Sequence, residues 1–113
     1  MTPPVRARLP NRRRAETQSL AIGGMTLTAT IGFAPDGRPQ ELFLSGVKDG
    51  SGLAAILDDA SVVISVALQY GMPAAALAKS ISRAPHGMGR ITAASVIGAA
   101  LDLLGDFEAS KKG

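Results

Sequence analysis

The stretch Met25-Thr26-Leu27-Thr28-Ala29-Thr30-Ile31-Gly32-Phe33 decides the fold. Met25, Leu27, Ala29, Ile31 and Phe33 alternate with Thr26, Thr28 and Thr30, the period of two that a half-buried strand requires. Before it, Glu16–Ile22 is short and β-compatible, and Gly23-Gly24 between the two supplies the positive φ values of a tight hairpin turn. After it comes Ala34-Pro35-Asp36-Gly37-Arg38-Pro39, where proline presets φ, Asp36 offers an Asx turn and Gly37 a left-handed position. Leu42, Phe43 and Leu44 then form a third strand. The expected result is a three-stranded antiparallel meander.

The period changes beyond Asp49-Gly50-Ser51-Gly52. Leu53, Ile56, Leu57, Ala60, Ile64, Ala67 and Leu68 recur at helical spacing, and Val62, Val63 and Val66 widen the apolar stripe, which predicts a largely buried helix covering the sheet. Ser51 or Asp49 caps its start, while Gly71 and Pro73 end it. Pro73 opens a second, brief helix carrying Leu77 and Ile81. The Gly-rich loop Ala84-Pro85-His86-Gly87-Met88-Gly89-Arg90 leads to a third helix from about Thr92, with Ala93, Val96, Ile97, Ala100, Leu101 and Leu104 inward and Gly105 at its end. Strands followed by helices give an α+β fold, a three-stranded antiparallel meander with three helices packed on one face. Whatever apolar helical surface the small sheet leaves uncovered calls for the other helices or a second subunit, and a homodimer is the expectation.

Five of the 12 basic residues and none of the 9 acidic ones lie in residues 1–14, so this Pro- and Arg-rich segment carries +5 and the remainder −2 of the chain's +3. It reads as a disordered basic tail, followed by a single domain over 15–108 and a flexible C-terminus at 109–113. At 113 residues, 46% hydrophobic and 19% charged, the chain is long enough to bury one core without staples. With no cysteine, disulfides, thiolate metal sites and thiol mechanisms are excluded, and a single histidine excludes a two-His metal site. The first residues lack a signal-peptide apolar core, and Ala60–Leu68 and Ala93–Leu104 fall short of the ~20 residues of a spanning helix, so no membrane and a cytoplasmic location are expected.

Arg12-Arg13-Arg14 suits nucleic-acid phosphates, but no aromatic stacking platform accompanies it, and a solvated tail is the commoner meaning of such a run. His86 and Arg90 flank a loop able to hold an anion at a helix start, although the loop matches neither a P-loop nor a dinucleotide fingerprint. His86 is the one side chain with an ordinary pKa near neutrality, and nothing local pairs with it. Asp58 and Asp59 point about 100° apart on a helix and share no cation well. No catalytic residue, metal or cofactor is assigned from these patterns.

Together, Ser65-Val66-Ala67-Leu68-Gln69-Tyr70-Gly71-Met72-Pro73, Asp36-Gly37-Arg38-Pro39 and Gly50-Ser51-Gly52-Leu53-Ala54 resemble the TSCPD domain, from about Arg12 to Leu104. That domain ends many adenosylcobalamin-dependent ribonucleotide reductases and also stands alone as a small protein. The resemblance marks Asp36, Gly37, Arg38, Gln69, Tyr70, Gly71 and Thr92 as family positions. Where the Thr-Ser-Cys-Pro-Asp motif would fall, this chain reads Thr92-Ala93-Ala94-Ser95-Val96, keeping the threonine, as a helix cap, and losing thiol, proline and carboxylate. Ribonucleotide reduction uses a thiyl radical and a dithiol, so a chain without cysteine does not catalyse it. The resemblance therefore implies a non-catalytic accessory or binding module with a ribonucleotide reductase subunit as partner. The alternative is a small nucleic-acid-associated protein that uses its Arg tail, and an enzyme acting through His86 on a phosphorylated small molecule ranks last.

Overall fold

A computed structural model of the chain describes residues 5–22, 24–47, 50–85 and 91–112. Strands β1 (Ala15–Ile22), β2 (Met25–Phe33) and β3 (Pro39–Ser45) form an antiparallel sheet in the order β1-β2-β3. Ile22 pairs with Met25 across the first turn, so the two-residue hairpin holds, although Gly23 lies outside the described residues. Ile31 pairs with Leu42, and the register shifts between Gly32 and Phe33. The alternation in β2 behaves as its pattern demands: Leu27, Ala29, Ile31 and Phe33 are buried on one face while the threonines lie on the other. At the second turn Asp36 Oδ1 accepts the Arg38 backbone N–H, and Gly37 has φ 92°.

Helix α1 (Gly52–Gln69) follows, then α2 (Ala74–Lys79), a short hairpin of β4 (Arg83–Pro85) and β5 (Ile91–Ala93), and α3 (Val96–Lys112). Ser51 caps α1 by accepting the Ala54 N–H, while Asp49 lies outside the described residues. At its other end Gly71 has φ 101°, its N–H reaches the Leu68 carbonyl and the Met72 N–H reaches that of Ala67, a Schellman closure. The core joins β2 and β3 to Leu57, Ile64 and Leu68 of α1, Ala74 and Ala78 of α2, and Val96, Ala100, Leu101 and Leu104 of α3.

Several expectations are corrected. Helix α1 is not largely buried: Leu57, Ile64 and Leu68 face the core, whereas Ile56 is 60% and Val63 68% exposed. The helix lies along β3, so one arc is covered and a second apolar arc is left outside. It is also 18 residues long with mean hydropathy 1.5, which by length and composition suffices to cross a membrane, a test that packed core helices also pass. The third helix starts at Val96, because Thr92 pairs with Ala84 in the β4–β5 hairpin. Its start is capped by Ser95, whose hydroxyl accepts the Gly98 N–H. Gly105 does not end that helix but packs against Ala75 of α2, and residues 109–112, read as a flexible end, continue the helix.

A polar hub and an adjoining cavity

The inner arc of α1 is not purely apolar. Ser61, Ser65 and Gln69 recur every four residues and are all buried, which places them in one row along the helix. The Ser65 hydroxyl accepts the Leu42 N–H at 2.9 Å and donates to the Leu42 carbonyl at 3.3 Å. Gln69 Nε2 donates to the Gln40 carbonyl at 3.1 Å. These side chains occupy the backbone groups that β3 would otherwise leave bare at the sheet edge. Ser61 instead donates to the Leu57 carbonyl of its own helix.

Gln69 has a second set of partners. Its Oε1 accepts from Arg6 Nε at 2.7 Å, and its carbonyl accepts the Ala7 N–H at 2.8 Å. One residue thus ties the N-terminal segment, the edge strand and the end of α1. The basic segment is accordingly laid on the body rather than detached as a free tail. Arg13 forms a fork with Glu41, Nε to Oε1 at 2.8 Å and Nη2 to Oε2 at 2.9 Å. Gly32 leaves room for this pair, since a Cβ there would stand 2.5 Å from Glu41 Oε1. The Arg14 guanidinium sits 3.9 Å from the Phe33 ring centroid, and Phe33 meets Phe107 edge-on at 5.3 Å. Arg8 and Arg12 are exposed.

Beside the hub, a cavity of about 360 Å³ opens between the β2–β3 turn, the α1–α2 turn and α3, lined by Arg38, Gln40, Leu68, Gly71, Met72 and Glu108 among others. Arg38 Nε is held by Asp36 Oδ2 at 2.8 Å. Glu108 accepts the Ala74 N–H at 2.7 Å and the Ala75 N–H at 3.3 Å, capping α2, whose own Pro73 offers no side-chain acceptor. Among the described residues, the cavity is mainly apolar with Arg38 and Glu108 at its rim, a geometry suited to binding.

A sequence model of the TSCPD domain family matches residues 1–104. The chain belongs to the TSCPD domain family. It is 40% identical over 70 residues to a vitamin B12-dependent ribonucleotide reductase of Rhodopirellula baltica, covering 62% of this chain and 7% of that protein. The corresponding reductase of Streptantibioticus cattleyicolor is 44% identical over 70 residues, 62% of this chain and 12% of the relative. That of Agrobacterium fabrum is 38% identical over 68 residues, 60% of this chain and 5% of the relative. The chain therefore spans a small fraction of the length of these relatives. No solved structure matches it.

Of the positions that the resemblance marks, Arg38 and Gly71 line the cavity, Asp36 orients Arg38, and Gln69 forms the neighbouring hub. Gly37 serves the turn, Tyr70 is the C-terminal cap residue of α1 and is about half exposed, and Thr92 stands apart in β5. Of the arginines read as phosphate ligands, Arg13 and Arg14 are held by Glu41 and Phe33, and Arg12 is exposed. His86 and Arg90 lie outside the described residues. The sequence did not mark Glu108, Gln40, Ser65 or Arg6; the polar row Ser61-Ser65-Gln69 in an apolar helix was a signal for Ser65 and Gln40, and no local pattern signals Glu108. At the other end of α2, Asp102 takes both Arg83 terminal nitrogens at 2.8 and 3.0 Å, and this hydrogen bonding holds the guanidinium pKa above its ordinary value. Among the described residues no three His, Cys, Asp or Glu side chains gather as metal ligands.

Proposed function

We propose that this TSCPD domain is a non-catalytic accessory module of a vitamin B12-dependent ribonucleotide reductase, acting in the cytoplasm on the route to deoxynucleotides, and that it works as a homodimer. The observation that carries the reading is the match to reductases combined with a sequence that has no thiol. Reduction of a ribonucleotide needs a thiyl radical and a dithiol, and a chain with neither contributes binding or assembly. The cavity beside Gln69 fits such a role, with Arg38 as the group that would face a carboxylate of a partner or a phosphate of a nucleotide.

The test is co-sedimentation of the purified chain with the vitamin B12-dependent reductase of the same organism, together with reductase turnover at increasing chain concentration. A stable complex, weakened by Arg38→Ala, is the expected result. Absence of a complex with turnover unchanged overturns the reading. The nucleic-acid alternative predicts instead a salt-dependent affinity for DNA or RNA that disappears when residues 1–14 are removed.

A further inference from the structure

The arc of α1 turned away from β3 is as apolar as the arc turned towards it. Leu53, Ile56, Ala60, Val63, Ala67 and Tyr70 follow one another at spacings of three, four, three, four and three residues. That is the repeat of a helix-pairing seam. In a helix packed on one side only, such a seam faces solvent, and it does so here: Leu53 is 41%, Ile56 60%, Val63 68% and Tyr70 48% exposed. Ala60 and Ala67 are partly exposed beside them.

We infer that this seam pairs with the same seam of a second copy of the chain, the two α1 helices running antiparallel about a two-fold axis between positions 61 and 62. The spacing reads identically in both directions, so reversing one helix still sets an apolar residue opposite every apolar residue. Side-chain size is matched as well. Ile56 meets Ala67 of the second copy, Val63 meets Ala60, and Leu53 meets Tyr70, so in the inner layers a large side chain always faces a small one, the condition for interdigitation. A two-fold axis makes the contact self-complementary and closed.

Charge and area agree with this occupant. Asp58 and Asp59 are the charged residues of α1. The antiparallel register sets Asp59 and Asp58 about 8 and 11 Å along the helix from their own copies, whereas a parallel pairing would put like carboxylates at the same level. The same two carboxylates disfavour an anionic lipid surface as the occupant. The large seam side chains Leu53, Ile56, Val63 and Tyr70 expose roughly 400 Å² per copy, or about 800 Å² for the pair before Ala60 and Ala67 are counted, which approaches the roughly 1,000 Å² of a specific interface. The inference is independent of any reductase, since its test uses the full chain alone.

Sedimentation of the full chain at micromolar concentration is expected to give twice the monomer mass. The double variant Ile56→Glu/Val63→Glu, at two exposed positions, is expected to give the monomer mass with an unchanged circular dichroism spectrum. Because the chain has no cysteine, single substitutions report register without background under a mild thiol oxidant. The register puts Ala60 about 5 Å along the helix from its own copy and Leu53 about 26 Å from its own copy. Ala60→Cys is therefore expected to cross-link and Leu53→Cys to remain uncross-linked. A monomeric native chain, a double variant that stays dimeric through another surface such as the open edge of β1, or cross-linking at both positions overturns the proposal.

Discussion

The Ser65 hydroxyl is bonded to both backbone groups of Leu42, accepting its N–H at 2.9 Å and donating to its carbonyl at 3.3 Å. A helix side chain here does the work of a neighbouring strand. Ser65→Ala strips both partners in a buried site, so it is expected to cost about 1–3 kcal/mol, the penalty for stranding a buried polar group. Ser61→Ala is the control, because Ser61 bonds only to its own helix at Leu57 and its loss is expected to change stability by less than about 0.5 kcal/mol. Urea denaturation of both variants checks the pair, and equal costs would mean that the edge contact carries no stability.

The two arcs of α1 predict an equally sharp contrast. Ile64 is 7% exposed within the core cluster and Val62 is 60% exposed. Ile64→Ala is expected to destabilise by about 2–5 kcal/mol through lost burial and the cavity left behind. Val62→Ala should stay within about 0.5 kcal/mol of wild type. Thermal or chemical denaturation at one protein concentration distinguishes them, and a surface-like cost for Ile64 would mean that the helix is rotated.

The meander, both of its turns and the two ends of α1 were legible because each rests on local chemistry: a period of two, Asp36-Gly37, Ser51 and Gly71. The facing of α1 was not. Apolar residues occupy two arcs of that helix, and periodicity marks an arc as apolar without saying whether β3 or another molecule covers it. The distinguishing mark was the polar row, since Ser65 and Gln69 sit inward to meet bare backbone. The β4–β5 hairpin escaped for a different reason, as three-residue strands are too short to show alternation, and Thr92 therefore read as a helix cap. Around the cavity, Arg38 and Gly71 coincide with positions that the family resemblance marks. Glu108 was not legible, because it caps Ala74 from 34 residues away and no local spacing announces such a contact. The basic segment likewise reads as a tail from its charge alone, whereas Glu41, Phe33 and Gln69, all distant in sequence, hold it down.

Gly71 carries the turn between α1 and α2 at φ 101°, with nothing within 4 Å of where a Cβ would stand. Space is thus not the constraint; backbone conformation is. Gly71→Val is expected to cost about 1 kcal/mol or more, since a β-branched residue is strained in the left-handed region. Gly52→Ala is the matching control, because Gly52 lies in helical backbone with equally open surroundings and alanine there is expected to be neutral or stabilising by up to about 1 kcal/mol. Midpoints of thermal unfolding that move together for the two variants would remove the conformational argument.

Gln69 supplies the last prediction, because it joins three segments. Removing its amide with Gln69→Ala takes the acceptor from Arg6 and the donor from the Gln40 carbonyl while leaving the backbone bond to Ala7 intact. The N-terminal segment then remains attached through Arg13 and Arg14 but loses its anchor near the start. A hydrogen bond to a charged group contributes about 1.5–3 kcal/mol, and local opening scales with that loss. Limited trypsin digestion reads it directly, since Arg6, Arg8 and Arg12 are cleavage sites within the segment. Cleavage there is expected to accelerate by roughly tenfold or more, whereas sites in the folded body such as Arg83, held by Asp102, keep their wild-type rate. Acceleration at every site would indicate global destabilisation, and no acceleration at the first three would show that Gln69 does not hold the segment.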